Sequence, residues 1–156
     1  MFLEAQNMSS SYSFSVNTQW SSGGHGVVEA DPGVASVEFS APPEFQGEAG
    51  YWTPERFFVA AIGSCFVTTF RAIAGLSKFQ PVALEVSVQG TVEKGEGGYS
   101  FSHVTLKPRL TVENEEEAGR GLRLLQKTER ACLVSRSLKS VVSMEPTVEL
   151  VSVSVG

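Results

Sequence analysis

The stretch TPERFFVAAIGSCFVTTFRAIAG, Thr53 to Gly75, is apolar on nearly every side. A helix with that distribution is a buried one, because no face of it suits water. Its start is written in three residues. Thr53 can cap, Pro54 fits the first helical position, and Glu55 meets the positive end of the helix dipole. Gly75 is the expected stop. One small sheet cannot cover such a helix, so a second subunit is expected over it. Ala60, Ala61, Gly63 and Ser64 leave room for another backbone to come close.

The sequence on the N-terminal side reads as strands. Tyr12, Phe14 and Val16 alternate within a segment running to Trp20, which predicts a half-buried strand. Gly and Ser from Ser21 to Gly26 predict a turn. Val27 to Ala30 and Val34 to Phe39 predict two short strands around Asp31-Pro32-Gly33. Ala41 to Gly50, with Pro42, Pro43, Gly47 and Gly50, predicts a loop. Residues 1–10 are expected to be a disordered N-terminus.

On the C-terminal side Leu84, Val86 and Val88 alternate, then Tyr99 and Phe101, with Glu93 to Gly98 as the hairpin loop. Val104 and Leu106 continue on the other parity, which predicts a bulge near Ser102. Pro108 predicts an edge strand or a break. Asn114, followed by Glu115, Glu116 and Glu117, predicts a second helix. A short helix is expected over Cys132 to Lys139, and a last strand over Thr147 to Val155. The expected fold class is α+β: two layers, with antiparallel sheets around a long buried central helix. A single domain is expected over residues 1–156.

Composition narrows the function. The chain has 156 residues, 42% of them hydrophobic and 19% charged, and a net charge of −5. Its acidic balance argues against a nucleic-acid partner. The first fourteen residues lack a basic n-region and a continuous apolar h-region, so no signal peptide is read. No uninterrupted apolar run reaches the roughly 18 residues of a membrane span. The expected address is the cytoplasm, where paired cysteines are more often catalytic or redox-sensing than structural. Charge is uneven along the chain. No Lys or Arg precedes Arg56, whereas Arg120, Arg123, Lys127, Arg130, Arg136 and Lys139 crowd one stretch, read as a solvated helical face. Neither the cysteines nor His25 and His103 have the close spacing of a metal site, and no cofactor is implied.

The two cysteines carry the chemistry. Cys65 lies inside the apolar helix, where an isolated thiol is usually inert packing. Cys132, in ACLVSRSLK, lies at the start of a helix, where backbone N–H groups and the dipole stabilise a thiolate. Arg136, four residues on, can reinforce that effect. One thiol on a buried helix and one at a helix start suit a peroxidatic and resolving pair.

TPERFFVAAIGSCFVTTF resembles the central helix of OsmC/Ohr proteins, with a Pro-Glu start and a cysteine ten residues after the Glu. ACLVSRSLK resembles that family's second-cysteine motif, with Leu133 where Pro is usual. The resemblance runs from about Gly23 to the C-terminus. It implies an intertwined homodimer that reduces organic hydroperoxides and is reset by an external dithiol of lipoyl or thioredoxin type. Cys65 would be the peroxidatic residue, Cys132 the resolving one, and Glu55 the acidic residue. Better-studied members carry an arginine after a Gly-Gly turn in the N-terminal strands. Here Gly23-Gly24 is followed by His25, which is charged only when protonated. Glu55 and Cys65 are ten residues apart, about 15 Å along a helix. If both serve one site, Glu55 must come from the other subunit.

The leading expectation is a two-cysteine peroxidase. Phe57, Phe58, Phe66 and Phe70 around Cys65 favour an organic substrate or are plain core. The alternative is a non-catalytic dimer binding an apolar ligand at the subunit interface. A thiol hydrolase would need a His base beside Cys65, with His25 ahead of His103.

Overall fold

The computed structural model describes residues 10–152. The expected disordered N-terminus therefore lies almost wholly outside the described residues, as does the tail of the last predicted strand. The chain divides into two compact units, residues 1–54 and 55–156. The architecture is mixed α+β, as the sequence predicts.

The first unit is a three-stranded antiparallel sheet in the order β1-β2-β3. Its strands are β1 (Asn17–Ser22), β2 (His25–Glu29) and β3 (Val37–Ser40). Gly23 takes the left-handed conformation (φ 55°) that turns β1 into β2, a conformation glycine adopts without steric cost. The Trp20 indole N–H donates to the Gly23 carbonyl at 2.8 Å and closes the turn. The predicted first strand is displaced: Tyr12, Phe14 and Val16 precede β1 and are exposed. Their alternation is real, but among the described residues no strand of this unit pairs with them. The predicted loop after β3 holds one 3-10 turn, Pro43–Phe45.

The second unit begins with α1 (Pro54–Leu76). Gly75 does not stop the helix. It lies inside the last turn, and the chain leaves through Lys78 at φ 51°. The Phe79 N–H reaches the Ala74 carbonyl at 2.8 Å and the Lys78 N–H reaches Gly75 at 3.1 Å. These two bonds satisfy carbonyls that a helix end otherwise leaves bare. Phe79 then packs edge-on against Phe70.

Strands β4 (Ala83–Gly95) and β5 (Gly98–Val112) form a long antiparallel hairpin. Its turn is tighter than predicted, two residues long. Thr91 pairs with His103 and Val92 with Phe101, so Ser102 is the extra residue of a bulge. That bulge keeps Phe101 and Val104 on one face despite their spacing. Phe101 stacks on Phe58 of α1 at 4.1 Å, and Val104, Leu106, Leu110 and Val112 form the core floor.

Helix α2 (Glu115–Ala131) is capped by Asn114, whose side-chain oxygen accepts from the Glu117 N–H at 3.0 Å. Helix α3 (Leu133–Arg136) follows immediately. Then come β6 (Val141–Met144), which the sequence pattern did not reveal, and β7 (Thr147–Leu150). Both run parallel to β5 along the edge that β4 leaves free, end to end. Pro108 is therefore not on an edge strand. It is buried in the central strand, pairs with Val86, and lies at the gap between β6 and β7. Its missing N–H faces a place where no strand needs one.

Ile62, Phe66, Phe70 and Ile73 of α1 meet Leu124 and Leu125 of α2 above the β5 floor. Burying each large side chain contributes roughly 1.5–3 kcal/mol. Two glycines make the close approach possible. A Cβ on Gly121 would stand 2.6 Å from Leu110, and one on Gly90 would stand 2.6 Å from the Phe101 ring. By length and mean hydropathy α1 is apolar enough to cross a membrane, although Ser64, Thr68, Thr69 and Arg71 interrupt its apolar run as the sequence reading expects. Only 28% of its most apolar 18-residue stretch is buried within the chain. Ala61, Ser64, Thr68, Ala72 and Gly75 are exposed.

Candidate active site

Cys65 projects from the fourth turn of α1, and Cys132 is the residue joining α2 to α3. The Cys132 backbone is extended (φ −61°, ψ 113°), which ends α2 and starts α3 at the same residue. The break turns the first N–H groups of α3 toward α1. The Val134 and Leu133 N–H groups and the Cys132 thiol lie around the Cys65 sulfur and favour its ionised form. The Thr69 hydroxyl, one turn further along α1, lies 3.8 Å from the same sulfur.

These contacts decide the ionisation of the pair. Burial alone would push the Cys65 thiol up. The Val134 N–H, the Cys132 thiol, the Thr69 hydroxyl and the Leu133 N–H more than offset it, and the Cys65 pKa falls below the ordinary thiol range. Hydrogen bonds to the charged form favour that form. Cys132 goes the other way. Burial pushes it up, against the Ser135 hydroxyl and N–H, and the neighbouring Cys65 sulfur adds to the rise. The Ser135 hydroxyl donates to Cys132 Sγ at 3.3 Å. Cys132 is wholly buried while Cys65 is partly exposed, and both thiols are free.

At Cys132 the helix start does act as expected, through the Ser135 N–H, but burial outweighs it. The Leu133 and Val134 amides act on Cys65. Arg136 is exposed and is not among the groups that shift either thiol. Thr69 and Ser135 were not singled out from sequence. Their signal was spacing, four residues after Cys65 and three after Cys132, which places each on its cysteine's face of a helix.

Glu55 does not meet Cys65 within the chain, because α1 runs unbroken between them. Its Oε2 is buried without a hydrogen-bond partner among the described residues. His25, in the other compact unit, opens β2. Its Nε2 lies 2.7 Å from Glu48 Oε2, an electrostatic approach rather than an aligned hydrogen bond. Its ring stacks on Tyr51 at 4.3 Å. The carboxylate that His25 meets is thus Glu48, which the sequence reading did not name. His103, the weaker candidate base, sits on β5 with Nε2 3.1 Å from the Ser143 hydroxyl. Phe66 and Phe70 are fully buried core, and Phe58 is stacked against the sheet, so packing accounts for these three aromatics.

A family model for OsmC-like proteins matches residues 47–147. The chain belongs to the OsmC-like protein family. The uncharacterized protein YmaD of Bacillus subtilis is 19% identical over 135 residues, 85% of this chain and 90% of that one. Among solved structures, an OsmC-like protein of unknown function from Vibrio cholerae superposes with a TM-score of 0.77 at 19% identity, covering 87% of this chain and 99% of that one. An organic hydroperoxide resistance protein from Elizabethkingia anophelis superposes with a TM-score of 0.69 at 22% identity, covering 90% and 99%. Together they establish the fold.

Proposed function

We propose that the protein is a thiol-dependent peroxidase for organic hydroperoxides, with Cys65 peroxidatic and Cys132 resolving. The observation that carries this reading is a pair of free thiols packed in one cluster, Cys65 partly exposed and Cys132 buried, with surroundings that favour ionisation of Cys65 and oppose that of Cys132. The Cys65 thiolate attacks the O–O bond of the hydroperoxide. It becomes a sulfenic acid, and the alkoxide leaves to be protonated to an alcohol. The Cys132 thiol then condenses with the sulfenic acid, forming the Cys65–Cys132 disulfide and releasing water. An external dithiol returns both cysteines to thiols and is itself oxidised to a disulfide. The preference for organic substrates rests on the family association.

Assembly as a homodimer is part of this proposal. The apolar helix α1 is left largely uncovered, and its small exposed residues suit a closely packed second copy. That copy would supply Glu55, whose unpaired buried oxygen needs a partner. His25 follows the Gly23-Gly24 turn, where the resemblance would place the family's arginine, and its carboxylate neighbour is Glu48.

The test is a thiol count. One equivalent of an organic hydroperoxide should consume both free thiols, and a dithiol should restore them. Thiols that survive the hydroperoxide would overturn the peroxidase reading and favour a ligand-binding dimer. Light scattering should give twice the chain mass at micromolar concentration; a monomer would remove the route by which Glu55 reaches the site.

A further inference from the structure

The resolving step asks of Cys132 what its surroundings oppose. The residue is 0% exposed, and burial is the first cause that holds its thiol above the ordinary range. Yet this sulfur must act as a nucleophile, and the thiolate is the attacking form. One side chain meets that need. The Ser135 hydroxyl donates to Cys132 Sγ at 3.3 Å. The Arg136 N–H donates to the Cys132 carbonyl at 3.1 Å, and the Leu138 N–H to the Ser135 carbonyl at 3.3 Å. These bonds hold the turn that brings Ser135 over the sulfur.

That orientation departs from what other helical hydroxyls do in this chain. Ser64 bonds to the Ala61 carbonyl, Thr68 to Ser64, Thr128 to Leu124 and Ser137 to Leu133. Back-bonding over three or four residues is the ordinary outlet for a hydroxyl on a helix. Ser135 turns instead to the sulfur three residues behind it. A thiol sulfur is a weak acceptor. The bond strengthens as negative charge builds on the sulfur, since hydrogen bonds to ionised groups are about twice as strong as neutral ones. It therefore favours the attacking form of Cys132 over the resting thiol, and such a difference is what speeds a step.

We infer that Ser135 is the positioning residue of the resolving step: its hydroxyl steadies the Cys132 sulfur as it becomes the nucleophile, and so shortens the life of the sulfenic acid on Cys65. The inference deepens the peroxidase reading and rests on it for that sulfenic acid. In the step the Cys132 sulfur attacks the Cys65 sulfur. The S–S bond forms and the S–O bond of the sulfenic acid breaks. The departing hydroxide takes the Cys132 proton and leaves as water. Cys65 is partly exposed, so a second hydroperoxide can reach a sulfenic acid that lingers and carry it to sulfinic acid. The step that Ser135 assists thus decides how often Cys65 is lost to overoxidation. Losing a hydrogen bond to a charged group changes ionisation about tenfold or more. About half of that, on a logarithmic scale, returns because a more basic thiolate is the better nucleophile.

The attack is read without any hydroperoxide by mixing the full-length protein with dithiobis(nitrobenzoate). Cys65 takes up one thionitrobenzoate as a mixed disulfide and releases the other. Cys132 then attacks the Cys65 sulfur, and the second thionitrobenzoate leaves as a thiolate. At about pH 7, Ser135→Ala should slow the second release roughly three- to tenfold and leave the first within about twofold. Well above the ordinary thiol range, where Cys132 is ionised in both proteins, the gap should close or reverse. Alanine is the strongest helix former, so α3 is not put at risk. Ser135→Thr keeps the hydroxyl and should restore the second release. An unchanged second release would overturn the inference. So would slowing that is equal at every pH, the mark of a merely loosened turn, or a Ser135→Thr variant as slow as Ser135→Ala. With an organic hydroperoxide, Ser135→Ala should prolong the dimedone-reactive sulfenic acid and leave more sulfinic acid on Cys65; an unchanged sulfinic yield would overturn the protective role. If the hydroperoxide yields no sulfenic acid while the second release still depends on Ser135, the peroxidase reading alone falls.

Discussion

Cys65 and Cys132 are the same side chain in contact with each other, yet their surroundings push them apart. Cys65 is partly exposed and receives two backbone N–H groups, a thiol and a hydroxyl. Cys132 is sealed in the core with Ser135 as its donor and a prospective negative charge beside it. Neither local sequence explains the difference. Most of the groups that favour ionised Cys65 come from the α2–α3 junction, and Cys132 is held protonated first by burial and then by its neighbour on α1. A peroxidatic thiol must be ionised and reachable, while a resolving thiol can wait protonated until a sulfenic acid forms next to it. The division of roles is therefore a property of how α1 and α3 meet.

The strongest way to break this comparison is to remove one thiol at a time. Cys65→Ser should abolish consumption of an organic hydroperoxide. Cys132→Ser should allow one turnover and leave a sulfenic acid on Cys65 that dimedone traps. If the Cys132 variant cycled normally with a dithiol, the two roles would not be divided as proposed. Cys65→Ser also sharpens the ionisation argument. With the neighbouring charge gone, Cys132 should titrate at lower pH than it does in the intact pair, read by thiolate absorbance in the ultraviolet.

A smaller effect should follow from disturbing the platform beneath Cys132. Gly121 lies where α2 touches Leu110 and Phe79. Gly121→Ala forces α2 away from β5 and should cost about 1–3 kcal/mol in denaturant unfolding. It should also slow disulfide formation more than sulfenic acid formation, because α3 moves with α2 while Cys65 stays on α1. Equal slowing of both steps would mean that α2 does not position Cys132.

The smallest expected change comes from single donors. Thr69→Val removes one hydroxyl from Cys65 and should slow its alkylation by iodoacetamide at pH 7 about two- to fivefold. The sign follows from the ionisation. A lowered pKa keeps Cys65 reactive as pH falls, so losing a donor moves the midpoint of its rate profile to higher pH. Ser135→Ala should leave that midpoint nearly in place while raising the one for Cys132. If the two variants had interchangeable effects, the environments would not be separate.

Much of the fold was legible because it rests on neighbours in the chain. The all-round apolarity of α1, the Asn114 cap with three glutamates behind it, the short helix beginning at Cys132 and the parity change around Ser102 are statements about residues within a few positions of one another. Errors arose where a neighbour in space decided. Tyr12, Phe14 and Val16 alternate like a strand but lie before β1, and no described strand in their unit pairs with them. Pro108 suggested an edge and is central, because β6 and β7 part at its missing N–H. Gly75 suggested a stop, but the turn that ends α1 uses Lys78 so that Phe79 can reach the core.

The candidate site divides along the same line. Sequence by itself determined that two thiols stand at a buried helix and at a helix start, with Glu55 too far along α1 to reach Cys65 in one chain. Those are consequences of helical rise and of residue type. Only the tertiary structure decided that the Leu133 and Val134 amides act on Cys65 and that Glu48 stands by His25. Hydrogen bonds and charge act over a few ångströms of space, and distant stretches of chain enter that range only when sheet and helices pack.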